Sequence, residues 1–179
     1  AARVEYVRGG LADWREAWPP FDDDALNAEL DQWLAPFLAG MSHWRDVEAL
    51  DLLPALKTRL GHSRLAELDR LAPEALDVPA GVQVPLDYRA DPGPVLAVKL
   101  QAVFGWTENP HVLDGRLPVV LHLLSPAGRP LAITADLTSF WANAYPDVLR
   151  DMRGRYPKHP WPDDPVRAAP TLKTRLRTR

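Results

Sequence analysis

The sequence predicts an α+β chain: an N-terminal helical segment over residues 1–72, a β-rich domain with a closing helix over residues 73–165, and a basic flexible tail over residues 166–179. Three observations predict it. Apolar residues recur at helical spacing before Leu71, they switch to alternate positions from Leu76 onward, and positive charge gathers at the end. With 179 residues, 46% of them hydrophobic, the chain suffices for one domain or two small ones with a real core.

In the helical segment Asp22-Asp23-Asp24 precedes Leu26, Leu30, Trp33, Leu34, Phe37 and Leu38 on one helical face, with Gly40 as the stop. Aspartates there cap orphan N–H groups at the positive helix end. A divalent cation is the alternative reading of three acids in a row, but no second carboxylate or histidine cluster stands at ligand spacing. A further helical stretch runs from Val47 to Leu60, broken or restarted at Pro54. Gly61 punctuates it, and Ser63 is expected to cap a short helix through Leu65, Leu68 and Leu71 that Pro73 closes.

The β-rich part begins with Val82 to Tyr88, apolar at alternate positions, where Pro85 argues for an edge or a bulge. Asp91-Pro92-Gly93-Pro94 turns the chain into a second strand, Val95 to Val98. Lys99 to Phe104 reads as one or two helical turns ended by Gly105. Asp114-Gly115 signals a two-residue hairpin between His111-Val112-Leu113 and a strand over Leu117–Leu124. Both faces of that strand are apolar, so it is expected to be central. Another strand follows over Leu131–Thr134. The expected sheet is small, mostly antiparallel and meander-like, or a partly open barrel. Asp136 caps a closing helix whose inward positions are Leu137, Phe140, Trp141, Ala144, Val148, Leu149 and Met152. Pro146 should kink that helix or stand in the first turn of a second one.

The net charge of −3 conceals a gradient. Residues 1–72 hold 8 Lys/Arg against 13 Asp/Glu, residues 73–149 hold 4 against 8, and residues 150–179 hold 9 against 3, giving −5, −4 and +6. A polyanion would meet this chain at its C-terminus; a solvated tail is the plainer alternative. The candidate phosphate-contacting residues are Arg150, Arg153, Arg155, Lys158, Lys173, Arg175 and Arg177. The absence of cysteine excludes disulfides, thiol nucleophiles and thiolate metal sites. No apolar run approaches the roughly 20 residues of a membrane span, and the amino terminus has no secretory pattern. A cytoplasmic, non-membrane protein is therefore expected.

No GxxxxGK[ST] or GxGxxG stretch, GxSxG elbow or zinc-spaced histidine pair occurs, so no catalytic residue and no metal ligand is assigned. His43, His62, His111 and His122 are scattered, and a satisfied surface or half-buried role suits each. The stretch RGRYPKHPWPDDP, residues 153–165, combines cations, rings and prolines. Its prolines favour an extended path that lays Tyr156, His159 and Trp161 against the domain as a structural clasp. Trp106 and Trp161 lie beside loops, where a ring fills a groove or stacks on a nucleobase.

The residues Val95-Leu96-Ala97-Val98-Lys99-Leu100-Gln101 with Phe104-Gly105, then Leu121 to Pro130, Asp136-Leu137, Phe140-Trp141 and RGRYPKHPWPDDP, closely resemble the C-terminal region of HrpB-type bacterial ATP-dependent helicases, of the DEAH-box group. The similarity spans about Pro73 to Pro170 and, more loosely, the helices upstream. It implies a C-terminal accessory domain of an RNA helicase that helps bind single-stranded RNA or other nucleic acid. The helicase core domains of the same full-length protein would be partners, and ATP and Mg would belong to that upstream core, with no cofactor in this chain. The supply of Trp and Leu and the acidic body of residues 1–149 favour an alternative, a docking or regulatory module that packs on the helicase core or a partner protein. By analogy with related helicases, the resemblance suggests an OB-like barrel.

Overall fold

A computed structural model of the chain describes residues 1–10 and 12–173. The chain divides into two units, Ala1–Pro73 and Glu74–Arg179.

The first unit is helical: α1 (Ala2–Gly10), α2 (Ala12–Ala17), α3 (Asp23–Ala28), α4 (Leu30–Trp33), a 3-10 turn at Ala35–Phe37, α5 (Trp44–Glu48), α6 (Leu53–Leu60) and α7 (His62–Leu71). Asp22 is the N-cap of α3, its carboxylate accepting from the Ala25 N–H at 2.8 Å. The helical run anticipated through Leu38 is divided. Glu29 leaves helical geometry (φ −110°, ψ 19°), and Pro36, which has no N–H to give, stands in the 3-10 turn that follows. Pro54 restarts the chain in the first turn of α6, where its missing N–H costs nothing. Ser63 does not cap α7. Gly61, at φ +83°, makes the corner itself, and the helix begins at His62.

Val4, Val7, Trp18, Phe21, Trp33, Leu60, Leu68 and Leu71 are buried in this unit. Arginines seal its rim: Arg3 donates to the Ala72 carbonyl at 2.6 Å, and Arg59 pairs with Glu29 at 2.5 Å while its guanidinium lies 4.7 Å from the Phe21 ring centroid. Such stacking lets a charged side chain cover an aromatic face.

The second unit carries β1 (Ala75–Val78), β2 (Val82–Pro85), β3 (Val95–Lys99), a 3-10 turn (Leu100–Val103), β4 (His111–Val112), β5 (Leu117–Pro118), β6 (Val120–Leu124), β7 (Pro130–Thr134), α8 (Leu137–Ser139), a π-helical turn (Phe140–Ala144) and α9 (Tyr145–Arg155). The α+β class holds, and β6 is central in the order β3-β6-β7. The meander does not hold: β3 and β6 run parallel, Val95 facing Val120 through Lys99 facing Leu124, while β6 and β7 are antiparallel. A parallel pair needs a crossover, and residues 100–119 supply it.

Among the described residues the strands close no barrel. β1 with β2 and β4 with β5 form separate two-stranded ladders, and between β2 and β3 the one isolated bridge is Asp87 with Val95. Ladders this short cannot curl into a closed cylinder. The strand anticipated over Leu117–Leu124 is split at Val119, whose N–H turns aside to the Pro110 carbonyl at 2.8 Å. The turn at Asp114-Gly115 is also longer than two residues. Leu113, Asp114 and Gly115 all have positive φ, and the Arg116 N–H closes back on Val112 at 3.1 Å.

Asp136 caps α8 through the Ser139 N–H at 2.9 Å. Pro146 stands in the first turn of α9, with the π turn just before it. Because Pro146 cannot donate to Ala142, the Tyr145 N–H reaches back five residues to Phe140. That widened turn sets Phe140, Trp141 and Tyr145 together with Phe104, with ring centroids 5.1 Å apart for Phe140–Trp141, 5.3 Å for Trp141–Tyr145 and 6.2 Å for Phe104–Trp141.

Candidate nucleic-acid interface

The chain leaving α9 is tied back onto the second unit at successive points. The Tyr145 hydroxyl donates to the Pro162 carbonyl at 2.7 Å. Arg153 donates to the Trp161 carbonyl from Nη2 at 2.8 Å and Nε at 3.2 Å, and Nη2 also reaches Asp163 at 2.8 Å. Trp161 is 4% exposed, and its indole N–H donates to the Tyr156 carbonyl at 2.9 Å. Further along, the Gly105 N–H meets the Pro165 carbonyl at 3.0 Å and the Thr171 N–H meets Gln101 at 2.9 Å. Gly105 has φ +87° and faces the Ala168 carbonyl, a conformation that a Cβ would strain.

The proline-rich path is not simply extended. The His159 N–H closes a turn on Tyr156 at 3.0 Å, and the Asp164 carboxylate accepts from the Val166 and Arg167 N–H groups at 3.1 Å. The residues anticipated to start a tail at 166 continue in this tied path as far as Lys173. Burial raises the Tyr145 hydroxyl well above its ordinary pKa, with nearby Asp163 adding to the rise and Arg153 opposing it. Tyr145 therefore stays a neutral donor.

The anticipated phosphate contacts divide into groups. Arg150 pairs with Asp147 at 3.1 Å and Arg155 with Asp151 at 2.9 Å, all exposed on α9. Exposed pairs of this kind contribute about 0–1 kcal/mol, so a phosphate can displace either carboxylate. Arg153 is different: its guanidinium is fixed by main chain as well as by Asp163. Lys158 is exposed and makes no ion pair among the described residues. Lys173 is exposed, and its backbone N–H donates to the Thr171 hydroxyl at 3.0 Å. Arg175 and Arg177 lie outside the described residues.

Arg153, Pro157, His159 and Trp161 enclose a recess of about 320 Å³. The sequence did not point to Lys99, the last residue of β3, yet its cation acts on His159. The imidazole is held below its ordinary pKa, first by burial and then by Lys99. Lys99 closes β3 as an exposed residue after the buried Val98, and a cation at the end of that apolar run was the signal available in the sequence.

A larger groove of about 620 Å³ runs between Trp141, Thr138 and Pro165, with Asp163 and Asp164 on its rim. Its acidic edge suits phosphate poorly. Trp106 is half-buried and its carbonyl accepts from the Trp141 indole at 2.8 Å, so it belongs to the wall behind that groove. Among the described residues no group of three or more His, Asp or Glu side chains is arranged to hold a metal ion, and no helix is long and apolar enough to cross a membrane.

Residues 33–165 match the family described as ATP-dependent helicase C-terminal, HrpB_C. The chain belongs to this family. It is 46% identical over 158 residues to the ATP-dependent RNA helicase HrpB of Escherichia coli K12, an alignment that covers 88% of this chain and 20% of that protein. Two crystal structures of E. coli HrpB share its fold. The one described as a DExH-box NTPase matches with a TM-score of 0.85 at 43% identity, over 97% of this chain and 22% of the other. The one described as a DEAH/RHA helicase gives 0.70 at 40% identity, over 89% and 20%. The chain thus spans about a fifth of the length of these relatives. The HrpB_C match ends at Pro165, so it includes Arg153, His159 and Trp161 and leaves Lys173, Arg175 and Arg177 beyond it.

Proposed function

We propose that this chain is the C-terminal part of an ATP-dependent helicase of the HrpB type, and that its second unit helps hold single-stranded nucleic acid beside the motor. Membership of the HrpB_C family carries the reading. The concentration of cations from Arg150 to Lys158 supports the nucleic-acid part, with Lys173, Arg175 and Arg177 as further contacts and Tyr156, His159 and Trp161 as the clasp that holds the segment in place. In this reading the helicase core domains of the same protein are its partners, they bind ATP and Mg, and the protein works in the cytoplasm.

Contacts to phosphate make binding depend steeply on salt. Titration of a fluorescein-labelled single-stranded RNA with the 179-residue chain at two salt concentrations tests this. Saturable binding that weakens with salt is expected; no binding at the lower salt overturns it.

A docking role on the core or on a partner protein has its own support in the first unit, where Trp44 is 72% exposed and Leu53 and Leu52 are 53% and 43% exposed. Co-purification with the separately expressed helicase core tests it, and failure to associate at high concentration counts against it.

A further inference from the structure

Arg153 differs from the other arginines of α9 in what holds it. Nε and Nη2 are spent on the Trp161 carbonyl and the Asp163 carboxylate, whereas Nη1 carries no hydrogen bond among the described residues. The guanidinium is therefore immobilised and borders the recess that His159 and Trp161 share. A pre-positioned arginine loses little side-chain freedom on meeting an anion, and its planar fork suits phosphate oxygens.

His159 is held in the same frame. Its N–H closes the turn on Tyr156, and its ring meets the Tyr156 ring edge-on at 6.1 Å. The charged groups around it are Lys99 from β3, which acts on the ring, Arg153, which shares the recess and holds Asp163, and Lys158, next to it in the chain. Apart from Asp163, which Arg153 already engages, these are cations. Burial and Lys99 both disfavour the imidazolium, so near neutrality His159 is an uncharged ring in a cationic pocket.

The geometry points to the recess bounded by Arg153, Pro157, His159 and Trp161 as the seat of one backbone phosphate of a single-stranded RNA, and to His159 as a group that takes a proton from solvent when the phosphate enters. This inference rests on the nucleic-acid reading above. An arriving phosphate offsets the Lys99 cation that disfavours the imidazolium and accepts a hydrogen bond from the protonated ring, so it favours the charged form. Affinity then rises as pH falls, with at most one proton taken up per seat.

The test is anisotropy titration of a labelled oligouridylate with the 179-residue chain at constant low salt, from mildly alkaline to mildly acidic pH, for the wild type and His159→Gln. The histidine ring resonances of the wild type are followed by NMR alongside. The expected result is tighter binding at acid pH, loss of that dependence in His159→Gln, and a rise in the His159 titration midpoint when oligouridylate is present. Lys99→Ala should weaken binding and lower the salt slope, by about one if Lys99 contacts the phosphate directly. If the oligouridylate binds but His159→Gln keeps the pH dependence, or the His159 resonance does not respond, the seat is overturned and the nucleic-acid reading stands. If inorganic phosphate moves the resonance and oligouridylate does not, the recess is a free-anion site and the inference is likewise overturned. No binding by the wild type at any pH removes the reading and the inference together.

Discussion

The two units differ in their most exposed tryptophan. In the second unit Trp141 and Trp161 are 7% and 4% exposed, and each indole N–H is spent on a carbonyl from another part of the unit, Trp106 for one and Tyr156 for the other. In the first unit Trp18 and Trp33 are buried, but Trp44 is 72% exposed and its indole N–H reaches only Glu48 of the same helix, at 2.8 Å. A buried indole with its N–H satisfied contributes cohesion. An exposed one contributes little to its own unit and much surface for a partner. The difference divides the proposed roles: the aromatic residues of the second unit hold its cationic segment in shape, and Trp44 in the first unit is available for contact.

The largest effect should come from Trp161→Ala. Deleting a buried Trp or Phe side chain typically costs about 3–5 kcal/mol, and here it also removes the indole donor that shares the Tyr156 carbonyl with the His159 N–H. Urea unfolding followed by circular dichroism should show a lower midpoint together with weaker RNA binding, because the Trp161 carbonyl and Arg153 would lose their fixed relation. A change below about 0.5 kcal/mol, the scale of surface substitutions, would mean that the C-terminal segment is not held by this ring.

Tyr145→Phe is a finer cut, because it keeps the ring among Phe104, Phe140 and Trp141 and removes only the hydroxyl that meets Pro162. Leaving one carbonyl without its buried donor costs about 1–3 kcal/mol, so a smaller drop in the same midpoint is expected. Gly105→Ala probes the other anchor. The left-handed conformation at Gly105 costs a non-glycine residue roughly 1–2 kcal/mol, and thermal unfolding should register it although the added methyl meets no atom closer than 3.6 Å.

These residues also mark what the sequence could disclose. Apolar spacing revealed the helices and the central strand β6, because burial on one or both faces is written into local periodicity. Pro146 at the start of α9 was legible for the same local reason, since a residue without an N–H fits only there. The parallel pairing of β3 with β6 was not legible: their facing residues are 25 positions apart, Val95 to Val120, and local pattern does not encode which distant strand is chosen. The aromatic and cationic content of residues 153–165 drew attention to the segment, but not to the bond that fixes Arg153, which depends on the turn bringing Trp161 back to α9. The action of Lys99 on His159 was hidden for that reason too, since the two are distant in sequence.

The smallest effect on stability is expected at the most exposed ring. Trp44→Ser removes little buried area, and even the indole bond to Glu48 lies in solvent, so unfolding midpoints should move by no more than about 0.5 kcal/mol. Its effect on association is the informative measurement. If the first unit docks on a helicase core, an exposed tryptophan is the kind of side chain whose truncation costs at least about 2 kcal/mol of binding, roughly a thirtyfold loss of affinity. Retention of the separately expressed core should fall while RNA affinity stays as in the wild type. Loss of RNA binding instead, with core association intact, would reverse the division of roles between the two units, since it would put the stacking surface in the helical unit and leave the cationic segment of the second unit to structure alone.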